Sequence, residues 1–136
     1  MGEIRIIGGQ WTRAKLPVPD LPGLRPTSDR VRETLFNWLG QTLTGWRVLD
    51  AFAGSGALGF EAASRGAQAV VMLEREAVLV DGLRASQKRL QATAITIHRA
   101  NALNWMTACA DRFDLIFLDP PFADALRRLH RPAEPG

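Results

Sequence analysis

Arg47-Val48-Leu49-Asp50-Ala51-Phe52-Ala53-Gly54-Ser55-Gly56-Ala57-Leu58-Gly59 is the stretch on which the fold turns. Its apolar start reads as a strand closing at Asp50, and its glycines read as a turn. A helix is expected from about Ala57 to Arg65, with Gly66 placed to stop it. Outward from this unit the same alternation repeats. Ala69 to Leu73 is a second strand ending at Glu74, and residues 76–91 form a helix with Val80, Leu83 and Leu90 inward. Ile95 to His98 is a third strand, Ala102 to Ala110 a helix, and Asp114 to Leu118 a fourth strand. Strands alternating with helices imply an α/β, Rossmann-like architecture, with a parallel sheet and helices on both faces. Ligands of such sheets sit beyond the carboxyl ends of the strands. Asp50, Glu74, Asn101 and Asp119 all fall at or just after strand ends, so they are expected to converge on one crevice.

Toward the N-terminus the pattern changes. Residues 4–7 and roughly 13–18 read as short strands around Gly8-Gly9, hence a hairpin. Pro17, Pro19, Pro22 and Pro26 impose an extended connection. Thr27 or Ser28 can cap a helix that puts Val31, Leu35, Trp38 and Leu39 on one face, with Gly40 and Gly45 bracketing its exit.

The chain has 136 residues, enough for one domain around a single core. Its 46% hydrophobic and 23% charged residues are ordinary for a globular protein. No apolar run is long enough to span a bilayer, and the N-terminus lacks an apolar signal core, so a cytoplasmic protein with no membrane partner is expected. A monomer is expected too. The lone Cys109 reads as a small residue packed in a helix. The net charge is +3, and residues 1–32 carry all of it: Arg5, Arg13, Lys15, Arg25, Arg30 and Arg32 stand against Glu3, Asp20 and Asp29. Clustered arginines suit phosphate contacts, since the guanidinium fork pairs with phosphate oxygens; a solvated basic face is the alternative.

Gly54-Ser55-Gly56-Ala57-Leu58-Gly59 has the spacing of the dinucleotide fingerprint, and Glu74 falls where a ribose-binding acid belongs. A dinucleotide would lay its pyrophosphate on the turn. Asp50 closes the preceding strand and faces that turn, which is unfavourable beside a diphosphate. It is favourable beside the ammonium and sulfonium of S-adenosylmethionine. Asp50, Gly54, Gly56 and Glu74 are therefore expected to bind that cofactor, the glycines by letting the backbone approach it closely. Asn101 could serve the adenine edge, where Ala102 could offer its backbone N–H. Taken singly, Asp50 could be a helix cap and Glu74 an exposed strand end.

Asp119-Pro120-Pro121-Phe122 follows the apolar run Leu115-Ile116-Phe117-Leu118. Two prolines end the strand in a rigid extended segment. The Asp119 carboxylate and the Pro120 carbonyl can each accept one N–H of an exocyclic base amine, freeing its lone pair to attack a methyl group. Phe122 can stack on the extruded base. The sequence offers no metal cluster, and neither His98 nor His130 is given a role. As a structural feature, Pro-Pro would serve as a strand-terminating turn.

Ile6-Ile7-Gly8-Gly9, the run Leu24-Arg25-Pro26-Thr27-Ser28-Asp29-Arg30-Val31-Arg32-Glu33-Thr34-Leu35-Phe36-Asn37-Trp38-Leu39, and Leu49 to Gly59 together resemble the RsmD family. That family consists of bacterial small-subunit ribosomal RNA guanine-N2 methyltransferases. The resemblance runs from about residue 4 to Phe122. It implies the class I S-adenosylmethionine-dependent methyltransferase fold, guanine as the base and the assembled small ribosomal subunit as substrate. On this reading residues 1–26 form an RNA-contacting hairpin and extended segment, using Arg5, Arg13, Lys15 and Arg25. Residues 27–122 form an incomplete methyltransferase domain, and residues 123–136 a disordered tail foreign to the family. The family continues past the Asp-Pro-Pro-Phe motif through three more strands, so the C-terminal strands of the sheet are expected to be missing and the fourth strand to be left as an apolar edge. Two alternatives stay open: a non-catalytic remnant with weak cofactor or RNA binding, and a DNA amino methyltransferase that shares the motif. A glutamine-methylating enzyme would carry Asn in place of Asp119.

Overall fold

A computed structural model describes residues 2–22, 24 and 27–120. Arg25, Pro121, Phe122 and the segment 123–136 lie outside the described residues. The elements run β1 (Gly2–Arg5), β2 (Lys15–Val18), α1 (Asp29–Trp38), β3 (Arg47–Asp50), α2 (Ala57–Ser64), β4 (Ala69–Glu74), α3 (Ala77–Leu90), β5 (Ile95–Arg99), α4 (Ala102–Ala108) and β6 (Leu115–Phe117). The strands β3 to β6 form a parallel sheet in the order β5-β4-β3-β6. The chain winds from β3 through β4 to β5, then returns to place β6 on the other side of β3. The order therefore reverses at β3, and such a reversal opens a crevice at the strands' carboxyl ends.

Side chains pack on both sheet faces, though Ile116 of β6 stays 46% exposed. Val48, Val70, Met72, Ile95 and Ile97 pack with Phe36, Phe60, Val80 and Leu83 into the larger core cluster. On the opposite face Leu49, Ala51 and Leu73 pack with Ala102, Trp105 and Met106 of α4. Alternate strand residues feed alternate faces, as the pleat requires.

The N-terminal hairpin is antiparallel, with Glu3 opposite Pro17 and Arg5 opposite Lys15. Its first strand sits two residues nearer the N-terminus than the apolar run 4–7 implies, and its second, expected over roughly 13–18, begins only at Lys15. Ile6 is nevertheless buried, and its N–H bonds to Ala14 O at 2.9 Å. The hairpin's connecting segment lies on the outer side of α2, and every residue of that helix is buried. Ala-Leu-Gly-Phe-Glu-Ala-Ala-Ser has no polar stripe because it has no solvent face.

The helix α1 corrects the sequence reading. Ser28 caps it, its Oγ accepting from Val31 N. Its buried residues are Arg32 and Phe36, with Leu35 and Leu39 partly buried, whereas Val31 and Trp38 are 56% and 81% exposed. Apolar spacing alone turns the helix the wrong way, because the residue that decides its orientation is a charged one whose partner lies on α2.

Candidate active site

Asp50 ends β3 at the reversal point and is only 1% exposed. Its Oδ2 accepts the N–H of Gly59 at 3.1 Å. Gly59 lies in the first turn of α2, whose own cap residue, Gly56, offers no side chain, so the strand supplies the cap that the helix lacks. The other oxygen, Oδ1, is buried with no hydrogen-bond partner among the described residues. The cap reading and the ligand reading of Asp50 thus fall to different oxygens of one carboxylate. Burial pushes its pKa up from 3.8 to about 7; Asp119 and Glu74 add to the rise, against the Gly59 and Phe52 backbone N–H groups. A buried acceptor without a donor suits a cationic or N–H-bearing ligand.

The crevice beside Asp50 is lined by Thr27, Phe52, Gly54, Ser55 and Asp119, among others. Glu74, at the end of β4, fixes the glycine turn: its Oε1 accepts Gly54 N and its Oε2 accepts Glu76 N, both at 2.9 Å. Gly54 lines the crevice. Gly56 also meets the core. It has φ +89°, and a Cβ there would come within 2.6 Å of the Phe60 ring and 2.8 Å of Leu83. The core and the left-handed backbone both demand its smallness.

Of the four strand-end residues expected to meet, Asp50 and Asp119 line the same crevice and Glu74 touches its turn through Gly54. Asn101 is engaged elsewhere: its Oδ1 caps α4 by accepting Asn104 N at 3.1 Å, and it does not line the crevice. Ala102, the first residue of α4, is buried. Asp119, two residues beyond β6, is exposed, and its Oδ2 accepts the Thr27 hydroxyl at 2.9 Å. Pro120 follows it, half-buried. Arg5, Arg13 and Lys15 are exposed on the hairpin, and Lys15 pairs loosely with Glu3 at 3.7 Å. The Arg89 guanidinium of α3 docks on Lys15 O, adding a basic group to that face that sequence reasoning missed.

A larger omission is the buried ion cluster around Glu61. Its Oε1 accepts from Arg32 and from Ile7 N, each at 2.9 Å. Its Oε2 accepts from Arg65 at 2.8 Å and from Gly8 N at 2.9 Å. Both lone-pair sides of each oxygen are used, which is what a buried carboxylate requires. The single acid inside an otherwise apolar α2 was the available signal: it demanded basic partners, and Arg65 stands at the helical spacing of four.

No helix among the described residues is long and apolar enough to cross a membrane. Among the same residues no group of His, Cys, Asp and Glu could hold a metal ion.

The family model described as Conserved hypothetical protein 95 matches residues 4–131. The chain belongs to this family, that of RsmD. Ribosomal RNA small subunit methyltransferase D of Escherichia coli K12 is 47% identical over 125 residues, covering 92% of this chain. The chain spans 63% of that relative's length. The solved E. coli protein yhhF superposes with a TM-score of 0.82 at 43% identity, over 92% of this chain and 68% of the other. A Trypanosoma brucei PRMT1 enzyme–prozyme complex with AdoHcy matches at a TM-score of 0.54 and 28% identity, over 65% of this chain and 28% of that one. The RsmD-family fold is the Rossmann-like class I methyltransferase fold expected from the sequence.

Proposed function

We propose that this chain carries the cofactor crevice and the target-amine acceptor of an S-adenosylmethionine-dependent methyltransferase. Its substrate would be the exocyclic N2 amino group of a guanine in small-subunit ribosomal RNA. The observation that carries the reading is the convergence of a buried, half-partnered Asp50 and an exposed Asp119 on one crevice at the sheet's reversal point. The named RsmD relatives support the ribosomal substrate. That substrate would keep the protein in the cytoplasm.

Asp50 Oδ1 would receive the cationic amino-acid end of the cofactor, and Glu74 would remain available to the ribose hydroxyls. Ala102 N–H would serve the adenine, with Asn101 acting through its cap. S-adenosylmethionine, when bound, supplies an electrophilic methyl group on a sulfonium. The chain's own contribution is to the acceptor. An aryl amine is a poor nucleophile while its lone pair is delocalised into the ring. Asp119 and the Pro120 carbonyl would each accept one of its N–H bonds, favouring a pyramidal nitrogen. Pro121 would keep that segment rigid, and Phe122 would stack on the base. The charge of Arg5, Arg13, Lys15 and Arg25 would hold the phosphate backbone.

Calorimetric titration with S-adenosylhomocysteine and with NAD tests the cofactor. Saturable binding of the homocysteine compound is expected. Saturable NAD binding with none of that compound would reject the assignment.

A further inference from the structure

The segment Thr27-Ser28-Asp29 ahead of α1 does more than start a helix. Thr27 stands one position before the cap residue Ser28, so its carbonyl lies outside the helix ladder. Arg32 Nε donates to that carbonyl at 3.3 Å. The Arg32 guanidinium is wholly buried, and its remaining nitrogens are held by Glu61 at 2.9 Å and by Asp29. A guanidinium held at three nitrogens has no freedom to turn, so the Thr27 backbone is fixed from inside the protein. Threonine is also stiff at χ1. Its hydroxyl, placed in this way, donates to Asp119 Oδ2 across 92 residues of sequence.

We propose that Thr27 is a positioning residue for Asp119, held in register by the buried Arg32–Glu61 pair. The inference rests on the reading of Asp119 as the acceptor for the target amine. An exposed carboxylate just beyond a strand end would otherwise sample several rotamers. Donation from a fixed hydroxyl selects one of them and leaves the remaining lone pairs to receive the incoming N–H. That is preorganisation of an acceptor by a neighbouring hydroxyl.

The test uses the 136-residue chain with Thr27→Val, which keeps the shape and removes the hydroxyl, and Thr27→Ser, which restores it. Two readouts are taken: the Asp119 carboxyl carbon resonance in ¹³C-labelled protein, and single-turnover methyl transfer to small subunits assembled without the modification. Thr27→Val should move the resonance and slow transfer by about tenfold, with half-saturation by small subunits unchanged. Thr27→Ser should restore both. In an Asp119→Ala background, Thr27→Val should add no further loss, because the two act as a unit. An unmoved Asp119 resonance, an equal loss in Thr27→Ser, or an additive loss in the double variant would each overturn the proposal. If the unaltered chain transfers no methyl group, the proposed function fails, and the resonance alone then decides the Thr27 contact.

Discussion

Replacing Asp50 by Asn should make the protein relatively more stable as pH rises. An unfolded Asp50 ionises near 3.8, whereas in the folded protein burial holds the proton on until about pH 7. Below 3.8 the group is neutral in both states and contributes no difference. Between 3.8 and 7 the unfolded chain has released the proton and the folded chain has not, so each pH unit costs the folded state about 1.4 kcal/mol. Above 7 both are ionised and the cost saturates near 4 kcal/mol, the consequence of a buried charge with one unpartnered oxygen. Asparagine does not titrate, and its side-chain oxygen can still accept the Gly59 N–H. Its amide nitrogen would lie where Oδ1 has no partner, a loss of roughly 1–3 kcal/mol at every pH. The pH-dependent part is therefore the diagnostic one. From pH 5 to pH 8 the stability of Asp50→Asn relative to the parent should rise by about 3 kcal/mol, two units of titration at the stated slope. Equilibrium urea unfolding at both pH values and fixed ionic strength measures it, with equal m-values confirming a common transition. A stability difference that stays constant between the two pH values would refute a buried, proton-holding Asp50.

Asp119→Ala should lower single-turnover methyl transfer about a hundredfold while leaving S-adenosylhomocysteine affinity within about twofold, since it removes an interaction made with the acceptor. Undiminished transfer would exclude the proposed role. Reversing Arg5 and Lys15 to Glu should weaken binding to small subunits and reduce the slope of log K against log salt by about 2, one unit for each phosphate left without its cation; an unchanged slope in filter binding would argue against the hairpin as the docking face. Gly9→Ala should destabilise the fold by more than about 3 kcal/mol, because Gly9 has φ +82° and a Cβ would fall 1.9 Å from Ser64 O. Thermal unfolding reads that loss, and a melting temperature equal to the parent's would contradict the packing of this segment on α2.

The strand–turn–helix unit at 47–64 and its repeats were legible because apolar runs, glycines and caps each report on their own neighbourhood. Asp50 and Asp119 could be placed in one crevice from sequence because the strand order of a wound sheet brings the ends of β3 and β6 together. What escaped was long-range and polar. Arg32 reads as a surface charge until Glu61, 29 residues later, is known to face it. Once that pair is buried, α1 must turn Phe36 inward and leave Trp38 outside. Asn101 does follow a strand end, but the backbone N–H of Asn104 claims its side-chain oxygen, a local competition that such residues often settle in favour of the helix.

The grip of residues 7–11 on Glu61 and Ser64 also constrains how the chain is made. Those hydrogen bonds span 53 to 56 residues of sequence. At roughly 5–20 residues per second, the first hairpin emerges from the translating ribosome several seconds before α2 exists to receive it. Through that interval Ile4, Ile6, Leu16 and Val18 have no core to enter, although all are buried in the finished fold. The hairpin is thus made before the helix that seats it.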